Sequence, residues 1–107
     1  VVEEVAAAAL PTSFELKNNY PNPFNPETTI EFSILDLNEV LPVVLTVYNM
    51  AGQEVARLVD EELDAGVYKS TWDGLNAQGQ PVGSGVYLYT LQIGQEFTAS
   101  KQMTLLK

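Results

Sequence analysis

The sequence predicts an all-β domain, folded as an antiparallel β-sandwich of about seven short strands. Apolar and polar residues alternate at period two along several short segments, which is the pattern of half-buried strands. Turn-forming residues separate these segments at intervals of about 8–12 residues, the spacing typical of a sandwich. No segment has the length and the period of a long helix, so a Rossmann or barrel enzyme core is not expected.

The size and charge of the chain limit its partners. A length of 107 residues fits one domain with a small core. Fourteen acidic and five basic residues give a net charge of −9, which argues against nucleic acid or an acidic membrane surface as a partner. No apolar run approaches the roughly 20 residues of a membrane helix, so we expect no membrane insertion.

The absence of two residue types from the sequence excludes several kinds of chemistry. The chain has no cysteine, which excludes disulfides, thiolate catalysis and cysteine-ligated zinc. It has no histidine either, which excludes a Ser–His triad and histidine-ligated metals. We therefore expect no catalytic residue, no metal site and no cofactor.

The first two segments precede the regular strands. Residues 1–13 are predicted to form a linker or frayed arm, because Pro11 ends an alanine-rich run that is too short to be a stable helix alone. A short docked helix is the lesser alternative. Residues 18–26 then carry Pro21, Pro23 and Pro26, which exclude a helix and a central strand. This lead-in is expected to be extended and to cover a sheet edge, with Tyr20 and Phe24 folded onto the end of the sandwich.

The strands follow one another with short connections. They are predicted at residues 28–34, 43–49, 54–60, 67–73, 86–94 and 95–107. In the third, Val55, Leu58 and Val59 interrupt the alternation, which predicts a β-bulge. The break at Gly94 and Gln95 predicts a tight hairpin between the last two strands.

Two acidic stretches could be taken for calcium sites. Four carboxylates lie in the predicted connection after the third strand, and we interpret them as a solvated loop in preference to a cation site: Asp60, Glu61, Glu62 and Asp64. Residues 73–79 faintly resemble a calcium loop but lack its alternating ligands and final glutamate. A turn held by Asp73 and Asn76 is the favoured interpretation.

Three aromatic residues leave a choice between a ligand platform and a core. Trp72, Tyr87 and Tyr89 could stack on a sugar ring, as in a carbohydrate-binding module. Aromatic side chains at period two on strands are more often buried, and a tryptophan commonly crosses the core of a sandwich. We expect all three in the core.

Four motifs together carry a resemblance to a known family. In order, the chain contains NYPNPFNPETTIEFSI, GQEV, WDG followed by GQPV and SGVY, and the ending KQMTLLK. Over residues 14–107 it resembles the carboxy-terminal sorting domains of type IX secretion substrates and the related Ig-like domain of the flagellar hook-capping protein. The structural motif positions that match are Pro21, Asn22, Pro23, Phe24, Gly52, Gly66, Trp72, Asp73, Gly74 and Gly79.

The resemblance implies an Ig-like sandwich that serves as a non-catalytic module of a larger secreted protein. A catalytic or adhesive parent domain would precede it, and it would be read by the secretion machinery or another protein partner. The protein would pass through the periplasm and be secreted or anchored at the cell surface. The resemblance places the sorting and partner-recognition residues at Gly85, Tyr87, Lys101, Met103, Leu105 and Lys107.

Two other functions stay open at the level of sequence. One is a structural spacer or assembly module, and the other is a carbohydrate-binding module with exposed aromatic rings. For the sorting module, recognition through the last hairpin by addition of a partner strand is the hypothesis. It predicts that deletion of residues 98–107 abolishes export.

Overall fold

The protein is a sandwich of two antiparallel sheets in a computed structural model, which describes residues 2–5 and 10–107. The all-β sandwich is thereby confirmed, and the described residues form eight strands in place of about seven. They are β1 (Val2–Val5), β2 (Glu15–Leu16), β3 (Thr28–Ile34), β4 (Leu41–Tyr48), β5 (Glu54–Leu63), β6 (Gly66–Trp72), β7 (Gly85–Ile93) and β8 (Phe97–Leu105). The described residues contain no helix of the length and apolarity needed to cross a membrane.

The two sheets have four strands each. The first has the order β1-β6-β3-β2 and the second the order β5-β4-β7-β8. Alternate residues of the long strands point inwards, so β4 and β7 each contribute four buried side chains to the core between the sheets. The largest buried side chains in this core are Trp72, Tyr89 and Phe32.

The amino-terminal segment contains a strand where the sequence predicted a linker or a short helix. Val2–Val5 pairs with β6 in the register Val2↔Ser70 to Val5↔Val67. This pairing gives hydrogen-bond partners to a side of β6 that would otherwise be a sheet edge. Residue 1 and residues 6–9 of the predicted arm lie outside the described residues, and the domain boundary at residue 14 stays a prediction.

Strand β5 contains the predicted irregularity. Its pairing with β4 shifts once between Leu45 and Thr46 and again between Val47 and Tyr48. The extra residues are Leu58 and Val55, two of the three that interrupt the sequence alternation, so the bulge is confirmed.

Three of the four acidic residues after this bulge lie in a strand and not in a loop, which corrects the sequence interpretation, whereas Asp64 lies exposed in the connection after β5. Strand β5 continues to Leu63, whose side chain is buried, because β4 begins early enough for Leu41 to pair with Leu63. Asp60, Glu61 and Glu62 therefore lie on an edge strand with exposed side chains. Among residues 2–5 and 10–107, no group of three or more acidic residues could hold a metal ion.

Candidate functional site

The last hairpin is the longest regular pair of strands and carries most of the predicted recognition residues. Strands β7 and β8 pair without a register break from Gly85↔Leu105 to Ile93↔Phe97. The turn between them contains Gly94 with φ 51°, and the Glu96 N–H donates to the Ile93 carbonyl at 3.0 Å. The tight hairpin that the sequence predicted at Gly94 and Gln95 is thereby confirmed.

The hairpin buries half of the predicted recognition residues. Tyr87, Met103 and Leu105 point into the core and are less than 9% exposed. Burial raises the pKa of Tyr87, whose hydroxyl donates to the Gly83 carbonyl at 2.7 Å. These three side chains do not reach a partner in the folded domain, and their role in recognition stays a prediction.

The remaining predicted recognition residues are more accessible. Gly85 and Lys101 are partly buried, and Lys107 is exposed. The Lys107 backbone N–H donates to the Ser84 hydroxyl at 2.9 Å, which ties the end of β8 to the start of β7. Lys101 has no ion-pair partner among the described acidic residues.

The outward face of the second sheet was not singled out by the sequence reasoning. On β4, β7 and β8 the outward side chains are Pro42, Val44, Thr46, Tyr48, Val86, Leu88, Thr90, Gln92, Thr98, Ser100, Gln102 and Thr104. None is charged, and the Thr90 and Ser100 hydroxyls lie 2.8 Å apart. The period-two alternation of these strands could have identified this face, because its residues are those that lie between the inward-facing ones.

The outward face of the first sheet carries charged side chains, in contrast to that of β4, β7 and β8 in the second sheet. There Glu3 pairs across the strands with Lys69, which also lies beside Glu31. Glu31 in turn forms an ion pair with Lys17 at 3.2 Å. In a chain with net charge −9, the uncharged outward face of β4, β7 and β8 is therefore a distinct surface.

The proline-rich lead-in reaches across to this sheet. The Phe24 N–H donates to the Thr104 carbonyl, and the Leu106 N–H donates to the Phe24 carbonyl, both at 3.0 Å. Asn22 Oδ1 accepts the Thr104 N–H at 3.0 Å. We call the pairing of Asn22–Phe24 with Thr104–Leu106 the clasp. It covers the carboxy-terminal end of the outer edge of β8. The sequence predicted that the lead-in covers a sheet edge but did not say which one.

The two aromatic residues of the lead-in have different positions. Phe24 is buried, with its ring centroid 5.7 Å from that of Trp72. Tyr20 was expected to fold onto the sandwich too, but its side chain is 52% exposed. Its backbone is instead fixed by two hydrogen bonds with Thr29, at 3.0 and 2.8 Å, and the peptide bonds before Pro21, Pro23 and Pro26 are cis.

A polar tie that the sequence reasoning missed holds the lead-in to the core. The Tyr89 hydroxyl donates to the Lys17 carbonyl and accepts the Asn19 N–H, each at 2.9 Å. The Asn19 side chain is buried and donates to Thr28 Oγ1 at 2.9 Å. Burial raises the pKa of Tyr89, although the hydrogen bond from Asn19 opposes the shift.

The motif that begins at Trp72 forms a compact turn. The Asp73 carboxylate accepts the Leu75 N–H at 3.1 Å, and Asn76 Oδ1 accepts the N–H groups of Gln78 and Gln80 at 3.0 Å. The turn held by aspartate and asparagine is thus confirmed. Gly74 has φ 77°, and a Cβ there would lie 3.2 Å from the Pro26 carbonyl oxygen, so glycine fits both the turn and the close approach of the lead-in.

The other glycines of the matching motifs lie at turns and a strand start. Gly52 and Gly79 have φ near 80° and donate to the carbonyls of Asn49 and Asn76 at 3.0 and 2.9 Å. Gly66 is the first residue of β6. These positions shape the connections between strands.

The candidate sugar platform is buried, as the core interpretation predicted. Trp72 is 1% exposed and Tyr89 is fully buried. The Trp72 indole Nε1–H donates to the Leu75 carbonyl at 3.0 Å, and its ring meets Tyr87 edge-on at 5.3 Å. The rings of Trp72, Tyr87 and Tyr89 are all buried and cannot stack on a sugar ring, so the carbohydrate-binding alternative is not favoured.

Comparison with known proteins identifies a domain family. Residues 24–96, more than half of the chain, match the family described as the FlgD Ig-like domain. No curated protein matches the chain.

Two solved structures share the fold. The crystal structure of dimeric latent PorU from Porphyromonas gingivalis is similar with a TM-score of 0.71 and 21% identity, over 95% of this chain and 10% of that one. PorZ, described as an essential bacterial surface component of the type IX secretion system of Porphyromonas gingivalis, gives a TM-score of 0.57 and 17% identity, over 88% of this chain and 11% of that one. The chain therefore spans about a tenth of each.

Proposed function

The chain belongs to the family of FlgD Ig-like domains, and on that premise we propose that it is a non-catalytic sorting and anchoring module of a larger protein that uses type IX secretion. The similarity to PorZ supports the link to that system, because PorZ is described as one of its surface components. In this proposal the module reaches the cell surface through the periplasm with its parent protein.

One observation supports a recognition role most directly, namely the uncharged outward face of the last hairpin. A protein partner can cover such a face without stripping water from charged groups, which is costly. The depletion of charge at the centre of protein interfaces follows the same rule. The acidic residues of the strands lie on β5 and on the first sheet, and the others lie in the connections, including Glu96 in the turn of the hairpin.

An export assay tests the proposal. We would place residues 1–107 behind a signal peptide and a fluorescent reporter, in a bacterium with a working type IX system and in a mutant without it. We expect fluorescence at the surface or in the medium of the competent strain alone. Reporter held in the periplasm of both strains would contradict sorting and favour the spacer role.

The deletion of residues 98–107 is a poor test by itself. It removes β8 with the buried Met103 and Leu105, and it removes the clasp that holds the lead-in. Unfolding would then abolish export for a reason unrelated to recognition.

A surface variant separates recognition from stability. Thr98→Glu adds a charge to the outward face of the hairpin, and Thr71→Glu adds the same charge to an exposed position on the first sheet. We expect the Thr98 variant to lower export by about tenfold or more, because an uncompensated charge buried in an interface costs several kcal/mol. Equal export of both variants would exclude this face.

A further inference from the structure

Strand β8 is the outer strand of its sheet, and the middle of its outer edge is open. The clasp bonds show that the backbone groups of Thr104 and Leu106 point away from β7. Alternation along an antiparallel ladder makes those of Thr98, Ser100 and Gln102 point the same way. No described residue hydrogen-bonds to the backbone of these three on that side. We call residues 98–102 the open segment.

The open segment has defined ends. At one end Phe14 stacks on Phe97 with ring centroids 5.7 Å apart. At the other end the clasp occupies the backbone of Thr104. The clasp therefore ends an added strand at Thr104, and the Phe14 ring lies beside the other end of the segment.

The other outer strands are less suited to receive such a chain. Strand β1 is four residues long and carries Glu3 and Glu4, and β2 has two residues. The start of β5 is covered where the Ala77 N–H donates to the Val55 carbonyl at 3.0 Å. The rest of β5 carries the acidic stretch Asp60–Glu62, which would repel an acidic partner.

Lys101 distinguishes the open segment from these edges. It lies within the segment, opposite Tyr89, with its side chain on the inward side of the strand and partly buried. It has no acidic partner among the described residues, although the chain has 14 acidic residues and 5 basic ones. A strand placed beside β8 would bring a side chain of its own directly opposite Lys101.

We propose that residues 98–102 accept an extended segment of a protein partner as an added strand, with an acidic side chain of that segment opposite Lys101. The backbone hydrogen bonds supply the affinity, and the cross-strand ion pair selects the sequence and its register. This inference rests on the proposed function for the kind of partner, since a module that is read by a protein needs a contact surface.

A synthetic peptide can test this without the natural partner. The probe is a fluorescein-labelled peptide of alternating threonine and valine with one central glutamate on the valine face, and its counterpart has lysine in place of glutamate. Binding to the 107-residue chain is measured by fluorescence anisotropy at low salt, where ion pairs are least screened. We expect the glutamate peptide to bind at least about fivefold more tightly than the lysine peptide, a difference within the range of exposed ion pairs.

Two variants of the chain separate the backbone from the charge. Ser100→Pro removes an N–H that points away from β7 and leaves the ladder to β7 intact, so we expect loss of binding. Ser100→Ala removes the same hydroxyl and keeps the N–H, so it should bind as the wild type does. Lys101→Glu should reverse the preference and bind the lysine peptide more tightly.

A third readout does not depend on any variant folding correctly. In the wild-type chain, the peptide should slow hydrogen exchange at the Ser100 and Gln102 amides, whereas the Lys101 amide is already bonded to β7. Failure of both peptides to bind at millimolar concentration, or equal binding by Ser100→Pro, would overturn the proposal.

A protective role for Lys101 gives the opposite result. Lysine on an edge strand can serve to prevent pairing with other chains. In that case Lys101→Val would bind both peptides more tightly or self-associate, and the proposed pairing with an acidic residue would be wrong. Because binding uses purified chain and export uses cells, the failure of this inference and that of the sorting function are separate outcomes.

Discussion

Tyr89 shows how one polar atom in the core fixes a segment that has little regular structure. Its hydroxyl is the point where residues 17–19 of the lead-in meet β7, with one hydrogen bond donated and one accepted. The donated bond to the Lys17 carbonyl needs the protonated phenol, whereas the accepted bond from the Asn19 N–H does not. The tie therefore links the stability of the domain to the protonation of buried tyrosines.

Alkaline pH is expected to destabilise the fold through these tyrosines. Burial raises the pKa of Tyr68, Tyr87 and Tyr89 above the ordinary value of 10.0. The unfolded chain then loses these protons at a lower pH than the folded chain does. The contribution of these tyrosines to the free energy of unfolding is therefore fully present below about pH 10, and it is lost as the pH rises above that value.

Urea unfolding at a series of pH values from neutral to about pH 11 measures this effect. The midpoint should stay level up to about pH 9 and then decrease. In Tyr89→Phe the decrease should be smaller, since one of the three groups is gone. A midpoint that rises between about pH 9 and pH 11 would contradict the assignment.

At the scale of elements, the lead-in acts as a short parallel partner of β8. The bridge between Phe24 and Leu105 is parallel, in contrast to the antiparallel pairing of the eight strands. Prolines on both sides of Asn22 limit the bonds that this segment can make to a few. The Asn22 side chain supplies one of them by accepting a backbone N–H of β8.

Removal of this side-chain bond should loosen the clasp measurably. Asn22→Ala leaves the Thr104 N–H without its acceptor, and we expect the free energy of unfolding to fall by about 1 kcal/mol. Asn25→Ala is the matched control, because Asn25 is also an exposed asparagine that precedes a proline. It should change stability by less than about 0.5 kcal/mol.

Urea denaturation of the two variants beside the wild type gives both values. Equal losses in the two variants would show that the clasp bond contributes nothing specific. Hydrogen exchange at the Thr104 amide gives a local check, because exchange should become faster in the Asn22 variant than in the Asn25 variant.

At the scale of the whole molecule, the core is built by residues from Leu16 onwards. All buried apolar residues of the described chain lie between Leu16 and Leu105, with Val2 packed against them from the side. The first strand completes the edge of one sheet but contributes no fully buried side chain. The proposed boundary at residue 14 can be tested on this basis.

A chain of residues 14–107 should fold to the same sandwich with lower stability. Loss of the two partly buried valines of β1 should lower the free energy of unfolding by roughly 1–2 kcal/mol. Circular dichroism and urea unfolding measure the fold and the loss, and size-exclusion chromatography reports whether the uncovered edge of β6 self-associates. An unfolded product would move the boundary of the domain to include β1.

The sequence by itself determined the class of fold, the bulge in β5, the last hairpin and the turn after Trp72. Each depends on interactions between near neighbours, such as period-two alternation, a glycine with positive φ or an asparagine that bonds its own loop. The burial of Trp72 and Tyr89 also followed from their place in the alternation.

Only the tertiary structure decided which edge the lead-in covers, where β5 ends and what lies on each face of the hairpin. Asn22 and Thr104 are 82 positions apart, and Tyr89 and Asn19 are 70 apart. No local pattern encodes such pairings, because they depend on how the two sheets stack. The same stacking buried Met103 and Leu105, left Lys101 at the edge and turned an uncharged face of the last hairpin outwards.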